Sequence, residues 1–137
     1  MATKKQKKSY IHAVGRRKTA VARVRLFEGK AEILVNNTPI SKYWPGKILE
    51  NIYLEPLRTT NTNTKYTATV RIIGSGPRGQ IGAFIHGISR ALIKVNPERF
   101  RPILKKRGFL TRDSRMKETR KVGGGGKARA KRQSPKR

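Results

Sequence analysis

Cysteine is absent from the 137-residue chain. That excludes disulfides, thiolate nucleophiles and cysteine-built zinc sites. Acidic residues are scarce, seven against 34 Lys and Arg, and too scattered to offer the paired carboxylates or Ser/His/Asp arrangement that hydrolytic chemistry needs. The only two histidines, His12 and His86, are far apart in sequence, with no carboxylate at ligand spacing beside either; neither metal binding nor general-base work is expected of them. No apolar run reaches 18 residues, and no basic amphipathic helix dominates, so no membrane partner is expected. The start, MATKKQKK, lacks the apolar core of a signal peptide. These absences point to a cysteine-free, non-enzymatic protein without cofactor, in the cytoplasm or already inside an organelle.

What the chain has is positive charge. The formal net charge is +27, a balance that favours a phosphate-rich partner bound through counterion release. Residues 105–137 hold fourteen Lys and Arg against Asp113 and Glu118, a net of +12. Their large apolar side chains are few, among them Phe109, Leu110, Met116 and Val122. A segment so charged and so poor in apolar surface cannot offset its own ordering entropy. It is expected to stay extended until a polyanion neutralises it, as a nucleic-acid-binding tail does. The remaining +15 lies on residues 1–104, so the body is basic too. The expected organisation is a basic arm over 1–9, a globular unit over 10–108 and an extended tail over 109–137, with Gly123–Gly126 as a flexible joint.

Within the globular unit, Tyr10–Val14 reads as a short strand ending at Gly15, and Arg16-Arg17-Lys18 as a loop or strand entry. Ala20–Glu28 alternates, with Ala22, Val24 and Leu26 on one face and Arg23 and Arg25 on the other. Glu28-Gly29-Lys30 is turn chemistry, and Ala31, Ile33 and Val35 alternate again, so these two runs predict a β-hairpin. Asn36-Asn37 punctuates. Thr38 followed by Pro39 predicts an N-cap and a first-turn proline opening a short helix through Trp44. A second short helix is expected over Lys47–Tyr53, with Ile48, Leu49 and Ile52 as its apolar side. Tyr66–Ile73 is the clearest strand, burying Tyr66, Ala68, Val70 and Ile72 and turning Arg71 outward. Ile81, Ile85, Ile88, Leu92 and Val95 predict a helix over about Gln80–Val95. Asn96-Pro97-Glu98 caps another helix that closes near Gly108, with Pro102 bending or interrupting it.

Gly74-Ser75-Gly76-Pro77-Arg78-Gly79 satisfies G-x-G-x-x-G between a strand and a helix. A dinucleotide fold also needs a second parallel strand after that helix, with an acid at its end. Here a further helix follows instead, and Glu98 reads as a first-turn acid favoured by the helix dipole. The loop can still present backbone N–H groups and Arg78 to a phosphate, although a plain turn is the competing reading. His86 and Arg90 lie one helical turn apart, off the isoleucine stripe, and can turn together toward a nucleic acid. Tyr43 and Trp44 are expected to pack against the sheet rather than stack on bases.

The run Gly79-Gln80-x-Gly82-Ala83-x-x-His86-Gly87-Ile88-x-Arg90-Ala91-Leu92 resembles the signature of the small-subunit ribosomal protein nine family. Gly15-Arg16-Arg17-Lys18-Thr19-Ala20 resembles its amino-terminal strand block. Gly108-Phe109-Leu110-Thr111-Arg112-Asp113-Ser114-Arg115 and the terminal Lys136-Arg137 resemble its tail. Where the family carries a glycine triplet before the helix, this chain has Gly74-Ser75-Gly76, which requires position 75 to avoid positive φ. The resemblance implies an α+β fold, a two-layer α/β sandwich of the ribosomal S5-domain-2-like kind. About four strands would carry helices on one face, followed by the tail.

Taken with the charge reading, the resemblance implies contacts to small-subunit rRNA from the body. Arg16, Arg17, Lys18, Arg23, Arg25 and Arg71 would make them from strands. Arg78, Gln80, His86 and Arg90 would make them from the glycine loop and its helix. In the tail the same role falls on Arg112, Arg115, Lys117, Arg120, Lys121, Lys127, Arg129, Lys131 and Arg132. The tip, Lys136 and Arg137, would touch P-site tRNA. Neighbouring proteins of the subunit head are implied partners, and no homo-oligomer is. Two rivals remain open at this point. One is a free nucleoid protein or RNA chaperone that coats polyanions without specificity, and the other is a phosphate-handling enzyme using the glycine loop.

Overall fold

The structure, a computed structural model, describes residues 9–117. It is a mixed α/β unit built on a five-stranded sheet. The strands are β1 (Ile11–Arg17), β2 (Ala20–Glu28), β3 (Leu34–Val35), β4 (Thr38–Pro39) and β5 (Tyr66–Ile73). The helices are α1 (Ile40–Tyr43), α2 (Lys47–Thr59), α3 (Pro77–Val95) and α4 (Pro97–Lys106). None of the described helices is long and apolar enough to cross a membrane.

The sheet order is β1-β2-β5-β3-β4. β1 and β2 form a hairpin, with Arg17 opposite Ala20 across Lys18-Thr19. β5 then pairs antiparallel with β2 over eight positions, Val21 opposite Ile73 through Glu28 opposite Tyr66. β3 joins β5 in parallel, by way of α1 and α2. This corrects the hairpin expected between Ala20–Glu28 and Ala31–Val35. Alternation says which face a residue takes but not which strand lies beside it. The full-length ladder with β5 outcompetes a two-residue β3, so β5 lies between them. The hairpin on that side is β3–β4, closed by Asn36 and Asn37 at φ 49° and 65°, the pair of positive φ angles that a type I′ turn demands.

Other boundaries shift for physical reasons. β1 runs through Arg17, past Gly15, because Gly15 is where the strand touches a helix rather than where it ends. A Cβ on Gly15 would lie 2.0 Å from the Ala83 carbonyl oxygen and 2.2 Å from the Gly87 nitrogen. Thr38 pairs as β4 instead of capping, so α1 starts without a side-chain cap. α2 continues six residues beyond Tyr53 and carries Pro56 inside it. Its buried side is Tyr53, Pro56 and Leu57, while Ile48 and Ile52 are exposed. Asn96 caps α4 as expected, its side chain accepting from the Arg99 N–H. Pro102 lies within α4.

One face of the sheet is covered and the other is open. α3 packs across β1 and β2, with Phe84, Ile88 and Leu92 fully buried against Ala13, Ala22, Val24 and Val70. Trp44, Tyr53 and Phe84 form an aromatic cluster, Trp44 at 5.8 Å from Tyr53 and 5.6 Å from Phe84. Trp44 is thus a core residue, as packing predicted. Beyond Gly108, which takes the positive φ of a helix stop, Phe109 and Leu110 are half-buried against the core.

Candidate nucleic-acid interface

Strand alternation places Arg23, Arg25 and Arg71 on the open face. The ladder sets Arg23 directly opposite Arg71 and Arg25 opposite Thr69 and His12. Directly opposed side chains on one sheet face are about 5 Å apart at Cβ, so three guanidinium groups share one small area. With Asn36 and Asn37 of the β3–β4 turn they line an open depression of about 910 Å³. The ion pairs among the described residues involve only Arg17, Arg107 and Arg115; the three sheet arginines have none. Arg25 instead lies over the Tyr10 ring at 5.2 Å. Like charges opposed on a sheet destabilise it unless something else compensates. Sequence reading placed the three arginines here, but it missed His12, Asn36 and Asn37. The Asn-Asn dipeptide, a residue type that tolerates positive φ, was the available signal for the turn.

A second basic region lies at the sheet edge. β1 is an edge strand, and its free backbone groups are met by α3 side chains spaced one turn apart. His86 Nδ1 accepts from the Arg16 N–H at 3.2 Å, Arg90 donates to the Val14 carbonyl at 2.6 Å, and Lys94 donates to the His12 carbonyl at 2.6 Å. His86 and Arg90 therefore serve first to cover an edge that would otherwise pair with another strand. Burial, reinforced by the Arg90 charge, holds the His86 imidazole below its ordinary pKa, consistent with a neutral ring whose Nδ1 is an acceptor.

Arg17 sits on the helix side, its stem against Gly82, where an added Cβ would meet Arg17 Cδ at 2.2 Å. Its guanidinium reaches Asp113 at 3.3 Å, and Asp113 also holds Arg115 at 2.8 Å. The Arg115 hydrogen bonds come first, with Arg17 contributing, in holding the Asp113 carboxyl well below the usual carboxylate range. The first residues after Gly108 are thus tied back to β1, while Arg112 and Lys117 stay exposed.

The α3 N-terminus has no side-chain cap and no acid in its first turn. Exposed Arg78 stands there, and Lys18 reaches the same turn, its Cδ 3.7 Å from a Cβ built on Gly79. A helix N-terminus flanked by two cations suits a phosphate. Ser75 takes φ 57°, which overturns the expectation that it avoids positive φ. Gly74 and Gly76 alone do not make the turn, so Ser75 bears the strain. Gln80 is engaged within the fold, its amide donating to the Gly74 carbonyl and its oxygen accepting from Tyr43. Arg120, Lys121, Lys127, Arg129, Lys131, Arg132, Lys136 and Arg137 lie outside the described residues. Among the described residues no group of side chains is placed to hold a metal.

The family model for ribosomal protein S9/S16 matches residues 15–137. The chain is 51% identical over 130 residues to small ribosomal subunit protein uS9 of Maridesulfovibrio salexigens, covering 95% of this chain and 98% of that one. It is 50% identical to the uS9 of Lawsonia intracellularis, over 82% and 85% of the two chains. Against the uS9 of Amoebophilus asiaticus the identity is 47%, over 82% and 88%. The chain belongs to the ribosomal protein S9/S16 family.

Proposed function

We propose that this chain is a structural constituent of the small ribosomal subunit, without catalysis of its own, that binds small-subunit rRNA in the head. The fold is read as ribosomal S5-domain-2-like, with residues 10–108 as the docking body and 109–137 as the tail. The observation that carries this is the trio Arg23, Arg25 and Arg71 on the open sheet face, which has no ion pair among the described residues. Three adjacent guanidinium groups repel one another unless phosphates neutralise them, and guanidinium forks match phosphate oxygens. Arg78 and Lys18 at the α3 N-terminus add a second phosphate position, and Arg16 and Arg112 widen the basic rim. Contacts of this kind read backbone, 2′-hydroxyl and shape more than base edges.

Beyond Arg115, the basic tail follows RNA into spaces too narrow for folded protein, and Lys136 and Arg137 add positive charge beside P-site tRNA. The working place is the cytoplasmic ribosome. A sucrose gradient of cell lysate tests the reading. The chain should stay with the small-subunit peak through a moderate salt wash, whereas spreading among light fractions would mean a free polyanion-coating protein. Deleting Lys136-Arg137 should leave that sedimentation unchanged and weaken P-site tRNA retention; full retention would remove the role of the tip.

A further inference from the structure

The sheet edge opposite β1 has different chemistry. There, the segment leading into β3 and the flank of α2 enclose a groove of about 330 Å³, with Glu32 and Glu50 beside an apolar wall that includes Ile33 and Leu54. Two of only seven acids in a +27 chain therefore meet in one depression. Among the described residues neither has a cation within ion-pair distance, since the ion pairs there use Asp113 and Glu55. Glu32 accepts from the Ser41 hydroxyl at 2.6 Å, which fixes that carboxylate and leaves its second oxygen free.

Tyr53 supplies an independent sign of a ligand. The residue is only 2% exposed, its ring is packed against Trp44 and Phe84, and it lines the same groove. Its hydroxyl makes no hydrogen bond among the described residues. Every fully enclosed side-chain polar atom there does have a partner, so the Tyr53 oxygen opens into the groove. Glu32, Glu50 and Tyr53 all line this one groove, so the phenol and the two carboxylates share a single depression.

We infer that this groove receives the side chain of a lysine from another basic protein packed against this chain in the particle. An ammonium group has three donors, and the two carboxylates and the phenol offer acceptors for them. A four-carbon stem lies comfortably along apolar walls while its charge meets polar groups. RNA phosphate is repelled by the same carboxylates. This chain's own tail starts from the far side, since the segment after Gly108 is tied to β1 through Arg17 and Asp113 and β1 is the opposite edge of the sheet. The occupant named here rests on the reading that the chain works inside the small subunit; the groove chemistry does not.

Two measurements test it. In nucleic-acid-free full-length protein, n-butylammonium should shift the Tyr53 ring and Leu54 methyl NMR signals saturably, and n-butanol should not. The Glu32→Gln/Glu50→Gln variant should bind the amine about tenfold more weakly, as losing a charged hydrogen bond implies. Equal responses to amine and alcohol overturn the site. In purified small subunits, Glu32 and Glu50 should lose most of the carbodiimide reactivity they show in the free protein. Without added amine, one of them should couple to a lysine of a different protein. Unchanged reactivity, or coupling only to a lysine of this same chain, in its basic arm or its tail, overturns the inference. A chain absent from the small-subunit peak overturns the ribosomal reading and the named occupant, while the amine titration still judges the groove.

Discussion

At Gly15, the missing side chain is what lets α3 lie on the sheet. The strand and helix backbones meet at Gly15 and Gly87, and a Cβ on Gly87 would come within 2.7 Å of Val24 Cγ2. Nothing flexible can yield around Gly15, because the atoms in the way are backbone. Gly15→Ala should therefore cost about 3 kcal/mol or more, at the upper end of overpacking penalties, and lower Tm by well over 10 °C for a unit of this size. A thermal melt within about 2 °C of wild type would show that α3 does not sit this close. Ser75 gives the opposite sign. A non-glycine residue at φ 57° carries a left-handed penalty of about 1–2 kcal/mol, and glycine brings back about 0.5–1 kcal/mol of chain entropy. Ser75→Gly should stabilise by about 0.5 kcal/mol, raising Tm by about 2–4 °C. An unchanged or lower Tm would mean that the Ser75 hydroxyl, packed beside Gly79, compensates for the strain.

At the scale of elements, the covered edge of β1 makes a pH prediction. His86 is more acidic folded than its ordinary value, so the folded state binds fewer protons than the unfolded chain. Its contribution is present above the unfolded pKa of about 6.5 and is lost as pH falls below it. Tm should drop between pH 7.5 and 5.5, and His86→Asn should flatten that drop. A wild-type Tm constant across that window would show that His86 does not hold the β1 edge as a neutral acceptor. This edge also marks where sequence reading stopped. Periodicity over Ala20–Glu28, Tyr66–Ile73 and Ile81–Val95 was enough to find β2, β5 and α3 and to say which faces are buried. It was enough for the open arginine face as well, because alternation fixes faces locally. It did not order the strands, since β5 pairs with β2 from 45 or so residues away, and loop closure leaves no local trace. It put the apolar side of α2 on Ile48, Leu49 and Ile52; Leu49 does pack against the core, but Ile48 and Ile52 are exposed and the core takes Tyr53 and Leu57, because a window ending at Tyr53 missed half the helix. It read His86 and Arg90 as outward-facing, because the free carbonyl and N–H groups of an edge strand become visible only once strand order is known.

Across the whole molecule, charge is divided by location. The open sheet face and the α3 N-terminus are basic, while Glu32 and Glu50 share a groove at the far edge. A protein with this division can touch RNA on one side and protein on another without either surface competing for the wrong partner. The proposed RNA side has a measurable signature. Each phosphate neutralised on duplex-like RNA contributes about 0.9 to the slope of log K against log salt, and about 0.7 on single strands. Replacing Arg23, Arg25 and Arg71 together with alanine should reduce the magnitude of that slope by about 2–3 when binding to small-subunit rRNA is titrated over a range of salt. The melting temperature should rise slightly, since the opposed Arg23–Arg71 pair is relieved. The basic tail remains in this variant, so residual binding persists with a shallower slope. If the triple variant keeps the wild-type slope, phosphate does not occupy the sheet face, and the tail alone carries the RNA affinity. If instead the slope falls only with Lys18 and Arg78 replaced, the contact lies at the α3 N-terminus, and the open face is left for a different partner.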